Sequence, residues 1–159
     1  MQVEILNKKE IQKIENILKK NYSSELNLKE YLVLKNEIDE IWISSKEIAN
    51  IDITNLNVNS TGLYFGKLKD GDKISLSIEG CQLIGRTAKR NIAEIDDENL
   101  VRFMEGFDVK PKEKIDCEEN NFVLIKYQDD FVGTGILRKN IIENKLPKSR
   151  RIFIQTFKQ

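Results

Sequence analysis

The sequence has no histidine, one tryptophan, two prolines and two cysteines among its 159 residues. Without histidine the usual general base, the imidazole of a nucleophilic triad and the commonest zinc ligand are missing, so any chemistry would rest on carboxylates, Lys, Tyr or Cys. Cys81 and Cys117 stand 36 positions apart and neither belongs to a Cys-x-x-Cys pair. That pattern supplies no zinc site and no disulfide framework, and it fits two thiols in a reducing compartment. No window approaches the roughly 18 apolar residues of a membrane-spanning helix, and the first residues lack the apolar core of a signal peptide. The expectation is a cytoplasmic protein with no membrane contact and no bound metal.

Glycine patterning is equally sparse. Gly133-Thr134-Gly135 is the only Gly-x-Gly; it lacks a third glycine and lies inside an apolar strand, where a dinucleotide fingerprint needs a strand-to-helix turn. Two glycines in one strand mark a bend or a close backbone approach, which also clears space for a ligand backbone. There is no P-loop and no nucleophile elbow, so no cofactor is expected. The carboxylate runs Asp96-Asp97-Glu98 and Asp116-Cys117-Glu118-Glu119 sit in cap or loop contexts with no partner that implies catalysis.

What is present is a chain of 40% apolar and 33% charged residues, long enough to bury roughly 70% of its unfolded surface without a metal or disulfide. Its 26 basic and 26 acidic residues cancel, but unevenly. Residues 137–159 hold seven basic residues and one acid, Glu143, so this stretch carries +6 and the preceding 136 residues carry −6. Such polarity points to one surface for a polyanion beside an acidic remainder.

Asn7 followed by Glu10 forms a capping box for a helix whose stripe is Ile11, Ile14, Ile17 and Leu18, ending near Lys20. Residues 30–35 and 40–44 read as a hairpin, followed by a single helical turn at 45–48 and a loop at 52–59. Strands at 61–68 and 73–77 flank the turn Lys69-Asp70-Gly71-Asp72. A helix at 79–86, a strand at 91–95 and a helix from the Asp96 cap to Glu105 follow, and that helix stops at Gly106. Residues 109–121 read as loop or edge, 122–127 and 131–137 as paired strands, and 151–157 as a last strand. The order predicts an α+β chain: a small α/β module at 1–80, then a compact β-barrel at 81–159.

The densest polar constellation runs from Arg138, Lys139 and Asn140 through Lys145, Lys148, Arg150 and Arg151. Cations neutralise phosphates, guanidinium groups stack on bases, and Asn140 and Asn144 offer hydrogen bonds to base edges or sugars. A second basic cluster, Arg86, Lys89 and Arg90, is expected on the same domain.

The run Asn121-Phe122-Val123-Leu124-Ile125-Lys126-Tyr127-Gln128-Asp129-Asp130-Phe131-Val132-Gly133-Thr134-Gly135, followed by Lys139-Asn140 and Lys145-Leu146-Pro147-Lys148-Ser149-Arg150-Arg151, resembles the PUA-like domain that closes many Sun-family RNA cytosine-5 methyltransferases. Residues 61–68 and 100–107 resemble two further stretches of that region, so the likeness covers about residues 25 to 152. The order of features also resembles Nip-type ribosome-biogenesis factors. The resemblance implies an α/β pre-PUA module followed by a PUA-like β-pseudobarrel that binds structured rRNA or tRNA. It brings no catalysis: the family's catalytic cysteines follow Pro or Thr, whereas Cys81 follows Gly80 and Cys117 follows Asp116. The function implied is stand-alone RNA binding in ribosome biogenesis or RNA modification, with a methyltransferase or ribosome-assembly protein as partner. The alternative is an adaptor that docks such a protein through its acidic portion. The RNA-binding residues expected are Arg86, Lys89, Arg90, Gly133, Gly135, Arg138, Lys139, Asn140, Lys145, Lys148, Arg150 and Arg151.

Overall fold

The computed structural model describes residues 2–46 and 62–153, and the chain divides into two compact units, Met1–Arg90 and Asn91–Gln159. Sequence placed the seam at 80/81; helix 78–85 packs within the first unit, and the division falls after Arg90. The first unit contains β1 (Val3–Ile5), α1 (Lys8–Tyr22), β2 (Tyr31–Asn36), β3 (Glu40–Ser45), β4 (Leu63–Lys69), β5 (Lys73–Leu76) and α2 (Ile78–Gly85). Its strands form an antiparallel sheet in the order β1-β2-β3-β4-β5.

The capping box is present. Asn7 Oδ1 accepts from the Glu10 N–H at 2.9 Å and a Glu10 carboxylate oxygen accepts from the Asn7 N–H at 3.3 Å. Ile11, Ile14 and Leu18 are buried, each worth about 2 kcal/mol as apolar area withdrawn from water. The helix runs to Tyr22 rather than Lys20 because both following residues have buried work to do. Asn21 donates to Ile17 O and Asp72 O, each at 2.8 Å, and the Tyr22 hydroxyl donates to Ile74 O at 3.1 Å. Burial pushes that hydroxyl's pKa well above its ordinary value. Tight turns predicted at 36–39 and 69–72 are confirmed by left-handed Asp39, Gly71 and Asp72. The helical turn expected at 45–48 and the loop at 52–59 lie wholly or largely outside the described residues.

The second unit contains β6 (Ile92–Glu94), α3 (Asp97–Met104), β7 (Glu113–Ile115), β8 (Phe122–Tyr127), β9 (Asp130–Arg138), β10 (Ile141–Asn144) and a single 3-10 turn, Lys148–Arg150. Asp96 caps α3, its carboxylate accepting from the Asn99 N–H at 2.8 Å. Gly106 (φ +100) ends this segment in a conformation L side chains rarely adopt. The sheet order is β10-β9-β8-β6-β7, with β6 and β8 parallel and the other neighbours antiparallel.

This sheet curls back on itself. Val109 and Ile142 exchange backbone hydrogen bonds of 3.1 and 2.7 Å, and three residues later Lys112 N–H donates to Glu94 O at 2.7 Å. One short segment therefore touches β10 on one side and β6 on the other, which joins the two margins and yields the barrel-like closure that leaves little edge exposed. Buried in this unit, on one face of the sheet or the other, are Ile92, Ala93, Phe103, Val109, Leu124, Ile125, Leu137, Ile142 and Leu146. Among the described residues, three helices with two separate sheets, one of them curled back on itself, fit the α+β expectation of a pre-PUA module and a PUA-like pseudobarrel.

Two elements differ from expectation. Residues 141–144, taken as part of a polar constellation, form β10, because Ile142 is buried while its neighbours are half exposed. Residues 151–153 are not strand, and 154–157 lie outside the described residues. The stretch 109–121, read as loop or edge, carries edge strand β7 and the Val109 bridge.

Candidate nucleic-acid interface

The basic stretch is held by a hairpin and a plug. Lys139 and Asn140 form the two-residue turn between β9 and β10, both left-handed at φ 49 and 61, the geometry of a type I′ turn. Both are exposed, and the Lys139 N–H donates to a Glu119 carboxylate oxygen. After β10, Leu146 is buried and anchors the chain, so Lys145, Lys148 and Arg150 stay exposed on either side of it.

Asn144 supports this arrangement. Its amide donates to Phe103 O at 2.8 Å and Phe107 O at 2.9 Å, its Oδ1 accepts from the Leu146 N–H at 2.7 Å, and its own N–H donates to Asp108 at 2.9 Å. The side chain expected to read bases is thus spent tying the end of α3 to the basic segment. Arg151 is also partly structural: its Nε donates to Leu146 O at 3.3 Å, and its side chain lies where a Cβ on Gly106 would be, 2.7 Å away.

Glu143, the one acid in the stretch, sits between two of its cations. Its carboxylate is 3.1 Å from Arg138 Nη1 and 3.1 Å from Lys145 Nζ. The hydrogen bond and charge of Lys145, with a smaller contribution from Arg138, hold its pKa below the ordinary carboxylate value.

The two glycines face inward. A Cβ on Gly135 would meet Ile142 Cγ2 at 2.5 Å and Glu143 O at 2.8 Å, and one on Gly133 would meet the Phe103 ring at 3.1 Å. The close approach they permit is therefore to the protein's own β10 and α3. Arg86, Lys89 and Arg90 fall in the first unit, whereas sequence grouped them with the barrel.

Exposed residues that sequence did not single out lie at the end of α3. Phe107 is 53% and Phe153 79% exposed, with Val101 and Ile152 also open to solvent. The Arg102 guanidinium lies 5.2 Å from the Phe107 ring centre, and Ile152 N–H donates to Met104 O at 2.8 Å, which brings the end of the basic segment to α3. The available signal was Val101 and Phe107 falling outside the stripe of Leu100, Phe103 and Met104. Exposed aromatic faces beside guanidinium groups are platforms for stacking bases.

Charge divides within this unit. Residues 91–136 carry 12 acids and five bases, including the rim of an open cleft of about 530 Å³ lined by Glu94, Asp96, Asp97, Glu98, Lys112 and Tyr127. The first unit, with 14 bases and 13 acids, is nearly neutral. The acidity that sequence spread over 136 residues is concentrated in the barrel that also carries the basic stretch.

Neither cysteine is prepared for nucleophilic chemistry. Burial pushes the Cys81 and Cys117 thiols up from their ordinary values, the opposite of an activated thiolate. Among the described residues no His/Cys/Asp/Glu group is arranged to hold a metal, and no helix is long and apolar enough to cross a membrane.

No curated protein is similar enough to the chain to count as a match. Residues 90–152 match the family model described as the methyltransferase RsmF PUA domain, so the second unit is similar to a PUA domain, and the match includes no methyltransferase domain.

Proposed function

We propose that the protein binds structured RNA through its second unit, and that Arg138, Lys139, Asn140, Lys145, Lys148 and Arg150 meet the phosphate backbone while Phe107 and Phe153 receive unpaired bases. The observation that carries this reading is the fixed basic segment on a PUA-like barrel: β10, the Leu146 plug and the Asn144 bonds hold its cations in one place beside exposed aromatics. Phosphate contacts give affinity and orientation, and stacking favours loops or ends over uniform duplex. An rRNA or tRNA target in ribosome biogenesis or RNA modification, without catalysis by this chain, is consistent with a PUA-like unit after an α+β module.

The test is a salt titration of affinity for a tRNA transcript. Replacing Lys139, Lys145, Lys148 and Arg150 by Gln should reduce the slope of log affinity against log salt by about 3. Arg151 is left intact because it also packs against Gly106. An unchanged slope would remove this surface from the assignment. The acidic cleft favours one second reading, an adaptor that seats a basic protein segment there; a partner recovered after nuclease treatment would support it.

A further inference from the structure

The C-terminal end of α1 and the loop 86–90 are fastened together by three hydrogen bonds. Lys89 N–H donates to Tyr22 O at 2.8 Å, Arg90 Nη1 donates to Lys20 O at 2.9 Å, and Glu25 N–H donates to Thr87 Oγ1 at 3.0 Å. The result places Lys19 and Lys20 of the helix's last turn beside Lys89 and Arg90, with Arg86 on the same loop. Lys19, Lys20, Arg86 and Lys89 are all exposed.

Cations at a helix C-terminus ordinarily serve the helix dipole and its unpaired carbonyls. Here the carbonyls of Leu18, Lys19, Lys20 and Tyr22 are already satisfied. Ser23 N–H donates to Lys19 O at 2.9 Å and Ser24 N–H to Leu18 O at 3.4 Å in a left-handed C-cap, while Lys20 O and Tyr22 O are taken by Arg90 and Lys89. The lysine ammonium groups are surplus to the cap. The acid paired with them is Asp72, 3.9 Å from Lys20 in a pair whose side chains are 64% and 74% exposed; Glu25 follows on the adjoining turn. So exposed a pair is worth little against a competing phosphate.

We propose that this patch on the first unit is a second phosphate-backbone contact, with Lys19, Lys20 and Lys89 as its binding groups and Arg90 as the positioning residue that holds the loop to the helix. The inference rests on the RNA-binding reading of the second unit and extends it: the same RNA is contacted by cations of both units. Linking two such contacts raises avidity without any new base readout.

The test uses the full chain, a tRNA transcript and the triple variant K19Q/K20Q/K89Q, leaving Arg90 in place; K19R/K20R/K89R controls for charge. Three lost contacts should lower the salt slope by about 2 to 3, so that the loss of affinity between 50 and 200 mM salt becomes about 20- to 40-fold smaller than for the unsubstituted protein. The Arg version should keep the original slope. If the Gln variant keeps the original slope while the second-unit variant loses its share, the patch is no phosphate contact and only this inference falls. If the unsubstituted protein does not bind the transcript, or neither variant alters the slope, the RNA reading falls and takes this one with it. Loss of binding to anionic lipid vesicles with RNA affinity intact would also overturn it.

Discussion

Replacing Asn144 by Asp tests whether the basic segment is held by the amide. The change keeps the shape of the side chain and the oxygen that accepts from Leu146 N–H, but removes the two N–H groups that satisfy Phe103 O and Phe107 O. Each such bond is worth about 0.5–1.5 kcal/mol net; Phe103 O keeps the Gly106 N–H at 2.9 Å, and Phe107 O, on an exposed residue, is left to water. A carboxylate aimed at two carbonyl oxygens, with Asp108 bonded to the same residue's N–H, adds repulsion. Partial exposure discounts the sum, leaving about 1–3 kcal/mol at neutral pH, or a fall in melting temperature of roughly 3–12 °C. The new carboxyl's folded pKa should lie above its unfolded value of about 3.9, because its surroundings disfavour the charge. A group shifted upward contributes its full stability below the unfolded pKa and loses it as pH rises through the folded one. The gap between variant and parent, measured by urea denaturation followed with circular dichroism, should therefore narrow below about pH 4. Equal stability at pH 7, or a gap independent of pH between 3 and 7, would refute the role given to Asn144.

Gly135→Ala should destabilise the protein by about 1–3 kcal/mol in the same denaturation assay, since the added methyl must displace Ile142 and the Glu143 carbonyl. Lys139→Asn should raise stability by about 0.5–1 kcal/mol, because Asn tolerates the left-handed turn better than Lys, and lower the RNA salt slope by about 1. Glu143→Gln should strengthen RNA binding about two- to five-fold at low salt and less at high salt, read by fluorescence anisotropy. With a thiol reagent at neutral pH, Cys117 should react slowly and Cys81 only after denaturation, as their burial and raised pKa values require.

The local elements were legible in the sequence because their signals are local. The Asn7–Glu10 box, the Asp96 cap, the Gly71 turn and the Gly106 stop each act within one turn of chain, and the long apolar run at 122–127 admits little besides a strand. β10 was hidden because four residues with one buried position, Ile142, cannot show a period. The closure through Val109 was hidden for a different reason: two backbone hydrogen bonds between residues 33 positions apart leave no mark on composition. Basic character located the candidate surface, but not which polar groups are free to serve it. Asn144 and Arg151 look like ligand contacts in sequence and are largely committed to the fold, a distinction set chiefly by Phe103 O, Phe107 O and Gly106, which lie about 40 residues away.

The ion pairs of Glu143 give the surface a built-in competitor. Arg138 and Lys145 already hold a carboxylate, so an incoming phosphate must displace a tethered anion before it gains either cation. A lone phosphate, bringing one charge to a site already occupied, gains little from that exchange. An RNA that seats several phosphates and its bases at once gains enough elsewhere to complete it. If the surface takes RNA as proposed, the carboxylate acts as a threshold that weighs on weak, indiscriminate polyanion binding more heavily than on a fully engaged complex, and that selectivity comes from an acid inside the most basic part of the chain.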